Sequence, residues 1–172
     1  IWQHLKETVL NEYLLNTLKL MMLTGGLSLL LGVSTGWLIG ACQFRGRATL
    51  SWLLMLPLAS PAYIVAYVYT DLLEVSGPVQ TTLRSWFSLG INDLQFPPIR
   101  NVTGAAVLLS LVLYPYIYLL ARNSFAGRSG VQFDAARVLG HGPFSAFFRV
   151  ALPAARPAIV GGLALVLMET LA

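Results

Sequence analysis

Asp134, Ala135, Ala136 and Gly140, followed by Val150, Leu152 and Pro153, form the one set of residues in this chain whose types and spacing suggest a specific task. They lie in residues 132–157, Q-F-D-A-A-R-V-L-G-H-G-P-F-S-A-F-F-R-V-A-L-P-A-A-R-P, a basic and mildly amphipathic stretch between apolar segments. The task is docking rather than bond making. Asp134 is expected to put an acid near the positive end of a short helix, where two alanines let a partner surface approach the backbone. Gly140 and Gly142 then break that helix, and Pro143 suits the first position of a second helix over 144–150. Phe144, Phe147 and Phe148 are expected at the bilayer interface, with Arg149 in water. Leu152-Pro153 is expected to end the second helix and turn the chain toward the next apolar segment.

The other candidate chemistry is ion ligation. Glu169 is the one acid inside an apolar run, and a carboxylate in that setting is a candidate functional group because leaving it charged in lipid is costly. Either it meets a cargo or it hydrogen-bonds a neighbouring helix. Tyr63 with Tyr67, and Tyr114 with Tyr118, are one helical turn apart on common faces. Tyr67 and Tyr69, near a span end, read better as interfacial anchors. Cys42 is the single cysteine, which excludes an intrachain disulfide and a thiolate cluster. His4 and His141 are far apart, and a metal needs several convergent groups, so no metal ligand is assigned. No catalytic residue is assigned either. The sequence contains no G-x-x-x-x-G-K-[ST] run to cradle a phosphate, so ATP would be handled by another chain.

The elements that must position these residues are membrane spans. Of the 172 residues 56% are hydrophobic and only 10% charged, which is far from the balance of a soluble domain. The expected architecture is all-α, a single polytopic bundle with room for four or five spans of about 20 residues each. The formal charge of +4 is better explained by arginines on the cytoplasmic flanks of spans than by nucleic acid. Because the sequence opens at Ile1 and stops at Ala172 within an apolar run, it reads as a fragment truncated at both ends. No signal-peptide pattern opens it.

The spans are expected at about residues 14–41, 50–70, 102–121 and 157–172, with a loop over 122–156. Residues 1–11 are expected as a surface helix and 79–89 as an interfacial helix within an outer excursion over 71–101. Ser28, Gly32, Gly36 and Gly40 recur every four residues, a stripe that lets another helix pack backbone to backbone. Pro57 and Pro61 should break the second span, and Tyr114-Pro115-Tyr116 should interrupt the third. Broken helices are tolerated in membranes where they line a cavity, so Pro57, Pro61, Tyr63, Tyr114, Pro115 and Glu169 are the candidate path residues. On this topology Arg45, Arg47, Arg122, Arg128, Arg137, Arg149 and Arg156 fall inside, and Lys6, Lys19, Arg84 and Arg100 fall outside. The bias places the 122–156 loop in the cytoplasm.

In its spacing that loop resembles the "EAA" loop of permease subunits of binding-protein-dependent ABC importers, where Glu-Ala-Ala is followed by Gly and then Ile-x-Leu-Pro. The matching positions here are Asp134, Ala135, Ala136, Gly140, Val150, Leu152 and Pro153, with Asp for Glu and Val for Ile. The flanking M-L-P-L-A-S-P-A-Y, S-G-P-V-Q, L-Y-P-Y-I-Y-L-L-A-R and L-M-E-T-L-A are also similar to ferric iron permeases. The resemblance implies a MetI-like fold in a bacterial inner membrane, with the loop forming coupling helices that sit on an ABC ATPase subunit. It further implies a periplasmic substrate-binding protein, a second permease half and ferric iron as cargo, with ATP on the partner chain and no cofactor on this one. Thiamine, polyamine, sulfate and phosphonate permeases share the loop. An ion-gradient-driven transporter half is the contrasting class, and it would call for paired intramembrane acids or half-helix ion sites.

Overall fold

In the computed structural model residues 10–74, 76–87 and 101–172 are described, and among them every regular element is helical. In chain order these are α1 (Asn11–Ala41), α2 (Arg47–Leu53), a 3-10 turn (Leu56–Ala59), α3 (Ala62–Leu73) and α4 (Pro78–Phe87). There follow α5 (Val102–Ala126), α6 (Arg128–Val138), α7 (Pro143–Ala146), a π-helical turn (Phe147–Ala151) and α8 (Leu152–Leu171). Three helical stretches are long and apolar enough to cross a membrane: Asn11–Ala41, Val102–Ala126 and Pro143–Leu171. A fourth crossing is available if Arg47–Ala59 and Tyr63–Phe87, bent by 90°, act as one broken span. The surface helix expected over residues 1–11 falls mostly outside the described residues, as do Asp93 and Arg100 of the outer excursion.

The bundle is built around α5. Leu113, Ile117, Ala121 and Phe125 of α5 are buried against Ala151 of the π-helical turn and Ala155, Ile159 and Val166 of α8. On the α1 side, small residues decide the packing. A Cβ built on Gly32 would lie 2.6 Å from Ile117 Cβ and 3.0 Å from the Tyr114 carbonyl oxygen, and one on Gly36 would lie 2.9 Å from Ala121 Cβ. The two backbones approach so closely that no side chain fits between them, which is the contact the every-fourth-residue stripe prepares.

Several expectations need correction. The third span is not interrupted: Pro115 lies inside a continuous α5. It is almost wholly buried, and a membrane helix packed on several sides tolerates proline because its neighbours and local adjustments accommodate the missing bond. Nor does Leu152-Pro153 end a helix. Leu152 donates its N–H to Phe147 O across the π-helical turn, and Pro153 then falls in the first turn of α8, where its missing N–H costs no bond. The fourth span therefore starts before residue 157 and continues from α7. Asp134 does not open a helix, because α6 begins at Arg128, one residue after Gly127 terminates α5. The macrodipole argument for Asp134 fails with it. The helix expected over 79–89 occupies Pro78–Phe87, with residues 88 and 89 outside the described set.

Candidate functional site

Two places gather the candidate residues: the α6–α7 loop and the break that follows α2. In the loop, α6 ends in a motif that requires glycine. Gly140 has φ +90°, its N–H bonds to Arg137 O at 3.1 Å, and the His141 N–H reaches back to Ala136 O at 3.1 Å. This pair of bonds is a Schellman cap, and a side chain at Gly140 would be strained in the left-handed conformation. The cap fixes the angle at which the chain leaves α6 for α7.

Asp134, Ala135 and Gly140 are exposed, as the docking reading requires, and they stand beside a set of exposed apolar side chains. Val131, Val138, Leu139 and Phe144 are each at least 70% exposed. Ala136 differs: it is 6% exposed and faces the bundle, so it cannot offer a docking surface. Val150, Leu152 and Pro153 are half-buried, and Leu152 packs on the core, so these three hold the loop against the spans.

The inward side of the loop is aromatic. Trp37 of α1 has ring centroids of Phe125, Phe133 and Phe147 at 5.1, 4.8 and 4.6 Å, each steeply inclined to it. Such edge-to-face pairs contribute about 0.5–1.5 kcal/mol each beyond the area they bury. Phe147, expected at the bilayer interface, is instead a member of this cluster, while Phe144 and Phe148 are exposed.

At the break, two tyrosines do work that the backbone of α2 leaves undone. Met55 N–H bonds to Trp52 O and Leu58 N–H to Met55 O, so the tightened turn bypasses the carbonyls of Ser51 and Leu54. The Tyr114 hydroxyl donates to Leu54 O at 3.0 Å, and the buried Tyr118 hydroxyl lies 3.2 Å from both Ser51 O and Ser51 Oγ. Unpaired carbonyls inside a membrane protein are costly, so this contact is what permits the helix to stop there.

Pro57, Ser60, Pro61, Tyr116 and Glu169 line a cavity of about 300 Å³ beside the break. Three of the six path candidates, Pro57, Pro61 and the exposed Glu169, thus come together at this cavity. The other three do not: Tyr63 is 74% exposed, Tyr114 is hydrogen-bonded to Leu54, and Pro115 is buried inside α5. A larger cavity of about 560 Å³, with Tyr13, Asn16, Thr17, Thr70 and Asn101 in its wall, lies at the end of the bundle away from the α6–α7 loop. Among the described residues no group of three or more His, Cys, Asp or Glu side chains could hold a metal ion.

The sequence reading missed Trp37 and Ser51. For Trp37 a signal exists in the phenylalanines at 125, 133 and 147, but only the fold shows that one indole meets all three. For Ser51 there is none, since its partner is 67 residues away.

Long apolar helices around a central helix, a proline-bearing break and an exposed helical loop before the last span define a membrane-embedded helical bundle. The chain belongs to the family described as binding-protein-dependent transport system inner membrane component, whose family model matches residues 28–172. It is a multi-pass protein of the inner membrane and an ABC-importer permease of the binding-protein-dependent type. It is 29% identical over 160 residues to the molybdenum transport system permease protein ModB of Escherichia coli K12, covering 93% of this chain and 67% of that protein. It is 28% identical over 163 residues to the spermidine/putrescine transport system permease protein PotB of the same organism, covering 93% and 57%. With PotB of Haemophilus influenzae it shares 30% identity over 159 residues, covering 91% and 54%. The chain therefore spans between about half and two thirds of the length of these relatives.

Proposed function

We propose that this chain is the part of an importer permease that receives its motive force through the 122–156 loop and passes a cationic cargo along the broken span. The observation that carries the docking half is the outer face of α6 and α7. Asp134 and Ala135 sit there with the exposed Val131, Val138, Leu139 and Phe144, an apolar patch that carries one acid and is flanked by the exposed Gln132 and Arg137, which suits the groove of a separate ATPase subunit that binds and hydrolyses ATP. Ala136, Val150, Leu152 and Pro153 position this surface, and Gly140 sets its angle. The chain itself makes and breaks no covalent bond. A periplasmic binding protein would deliver the cargo, and a second permease half would close the path.

The cargo half rests on Glu169. A single carboxylate in the wall of the cavity beside Pro57 and Pro61 attracts a cation and repels an oxyanion. Ferric iron, which the wider sequence resemblance implies, and a polyamine such as spermidine both fit that sign. The named relatives serve molybdenum and spermidine/putrescine systems, so family membership does not select between charges. The test is uptake by vesicles carrying the full permease, its ATPase and its binding protein, with ferric iron, spermidine and molybdate offered in parallel. Uptake of a cation, lowered about tenfold by Glu169→Gln, is expected; a tenfold loss corresponds to about 1.4 kcal/mol. Uptake of molybdate, unchanged by Glu169→Gln, would overturn the cation assignment.

A further inference from the structure

Trp37 occupies the only place among the described residues where rings from α1, α5, α6 and the turn before α8 meet. Phe133 immediately precedes Asp134, and Ala136, one turn further on, is buried on the same inner face of α6. The outer face of α6 is thereby exposed for docking while its inner face rests on the indole. We infer that Trp37 is the positioning residue through which movement of α6 is passed to the membrane spans, an inference that rests on the docking role of the loop.

Three observations support it. The indole is half-buried among Phe125, Phe133 and Phe147, whereas an interfacial anchor would present its ring to headgroups. Its neighbours Gly36 and Gly40 hold α1 against the backbone of α5, since a Cβ on Gly40 would lie 2.9 Å from Arg122 O. A displacement of Trp37 therefore carries α1 and α5 together rather than bending one of them. Finally, Phe147 stands on the π-helical turn that leads into α8, so the same indole touches the start of the fourth span. Close-packed interiors pass such displacements on because their contacts have no slack.

The experiment uses the full permease with its ATPase in nanodiscs, on a cysteine-free background carrying Asn16→Cys in the wall of the far cavity. The rate at which a membrane-impermeant maleimide labels this cysteine is compared without nucleotide and after trapping with Mg-ATP and vanadate. Trapping is expected to change the rate by about tenfold, within the range for coupled sites, and Trp37→Ala to reduce that response to less than about twofold. In Trp37→Ala the ATPase should still co-purify and still hydrolyse ATP, and Trp37→Phe should restore the response. Phe133→Ala, which alters α6 and no residue of the spans, should abolish the response in the same way and guards against a folding defect at position 37. A full response in Trp37→Ala, with the ATPase bound, would overturn the role of Trp37. Failure of the ATPase to co-purify with the unaltered permease would overturn the docking reading and this inference with it.

Discussion

The hydroxyl of Tyr118 satisfies a carbonyl that α2 cannot pair for itself. Because the helix tightens at Met55 and then meets Pro57, the acceptors at Ser51 and Leu54 are left over, and two hydroxyls one turn apart on α5 close them. Tyr118→Phe keeps the ring packing and removes only the bond. It should lower the stability of the solubilised protein by about 1 kcal/mol, between the average for membrane hydrogen bonds and the penalty for a buried unpaired group. Thermal unfolding in detergent checks this, and an unchanged midpoint would mean the carbonyl has another partner. The pairing of Tyr114 with Tyr118 is legible in their spacing, and so is an oxygen chemistry for their hydroxyls. Their partner is not, because it is set by how α2 lies on α5. The tyrosines thus serve the shape of the break, whereas Glu169 lies at the cavity wall.

Among the elements, the α1–α5 contact has the least tolerance. Gly32→Val would drive a branched side chain into Ile117 Cβ and the Tyr114 carbonyl, with no flexible tip to yield. Overpacking of this kind costs about 1–3 kcal/mol, and here it should also separate the helices. The measurement is the fraction of the variant that remains monodisperse in mild detergent compared with Gly26→Val, where a Cβ meets nothing within 4 Å. Equal behaviour of the two variants would contradict the close-packed interface. This contact was readable from a four-residue period because backbone approach depends on the small residues themselves. The fates of Pro115 and Pro153 were not readable. Whether a proline breaks a membrane helix depends on what surrounds it: Pro57 and Pro61 lie where the chain turns by 90°, Pro115 lies in the packed centre of α5, and Pro153 follows a π-helical turn. Local rules treat these prolines alike, and tertiary context separates them.

At the scale of the molecule, one loop stands between two spans with its apolar side outward and its aromatic side on the bundle. The membrane character and the loop spacing were legible because both are written in runs and intervals of residue types. The division of the loop into two faces was not, since Ala135 and Ala136 are adjacent and of one type, yet one is exposed and the other buried. Everything proposed for transport depends on the outer face being cytoplasmic and covered by an ATPase. The most direct test places a single cysteine at Ala135, with Cys42→Ser, in the full permease, and labels it with a membrane-impermeant maleimide. Labelling is predicted only in inside-out vesicles stripped of ATPase, and it should disappear when the ATPase is bound again. Labelling from the outside of intact cells, or labelling that bound ATPase leaves unchanged, would contradict the account.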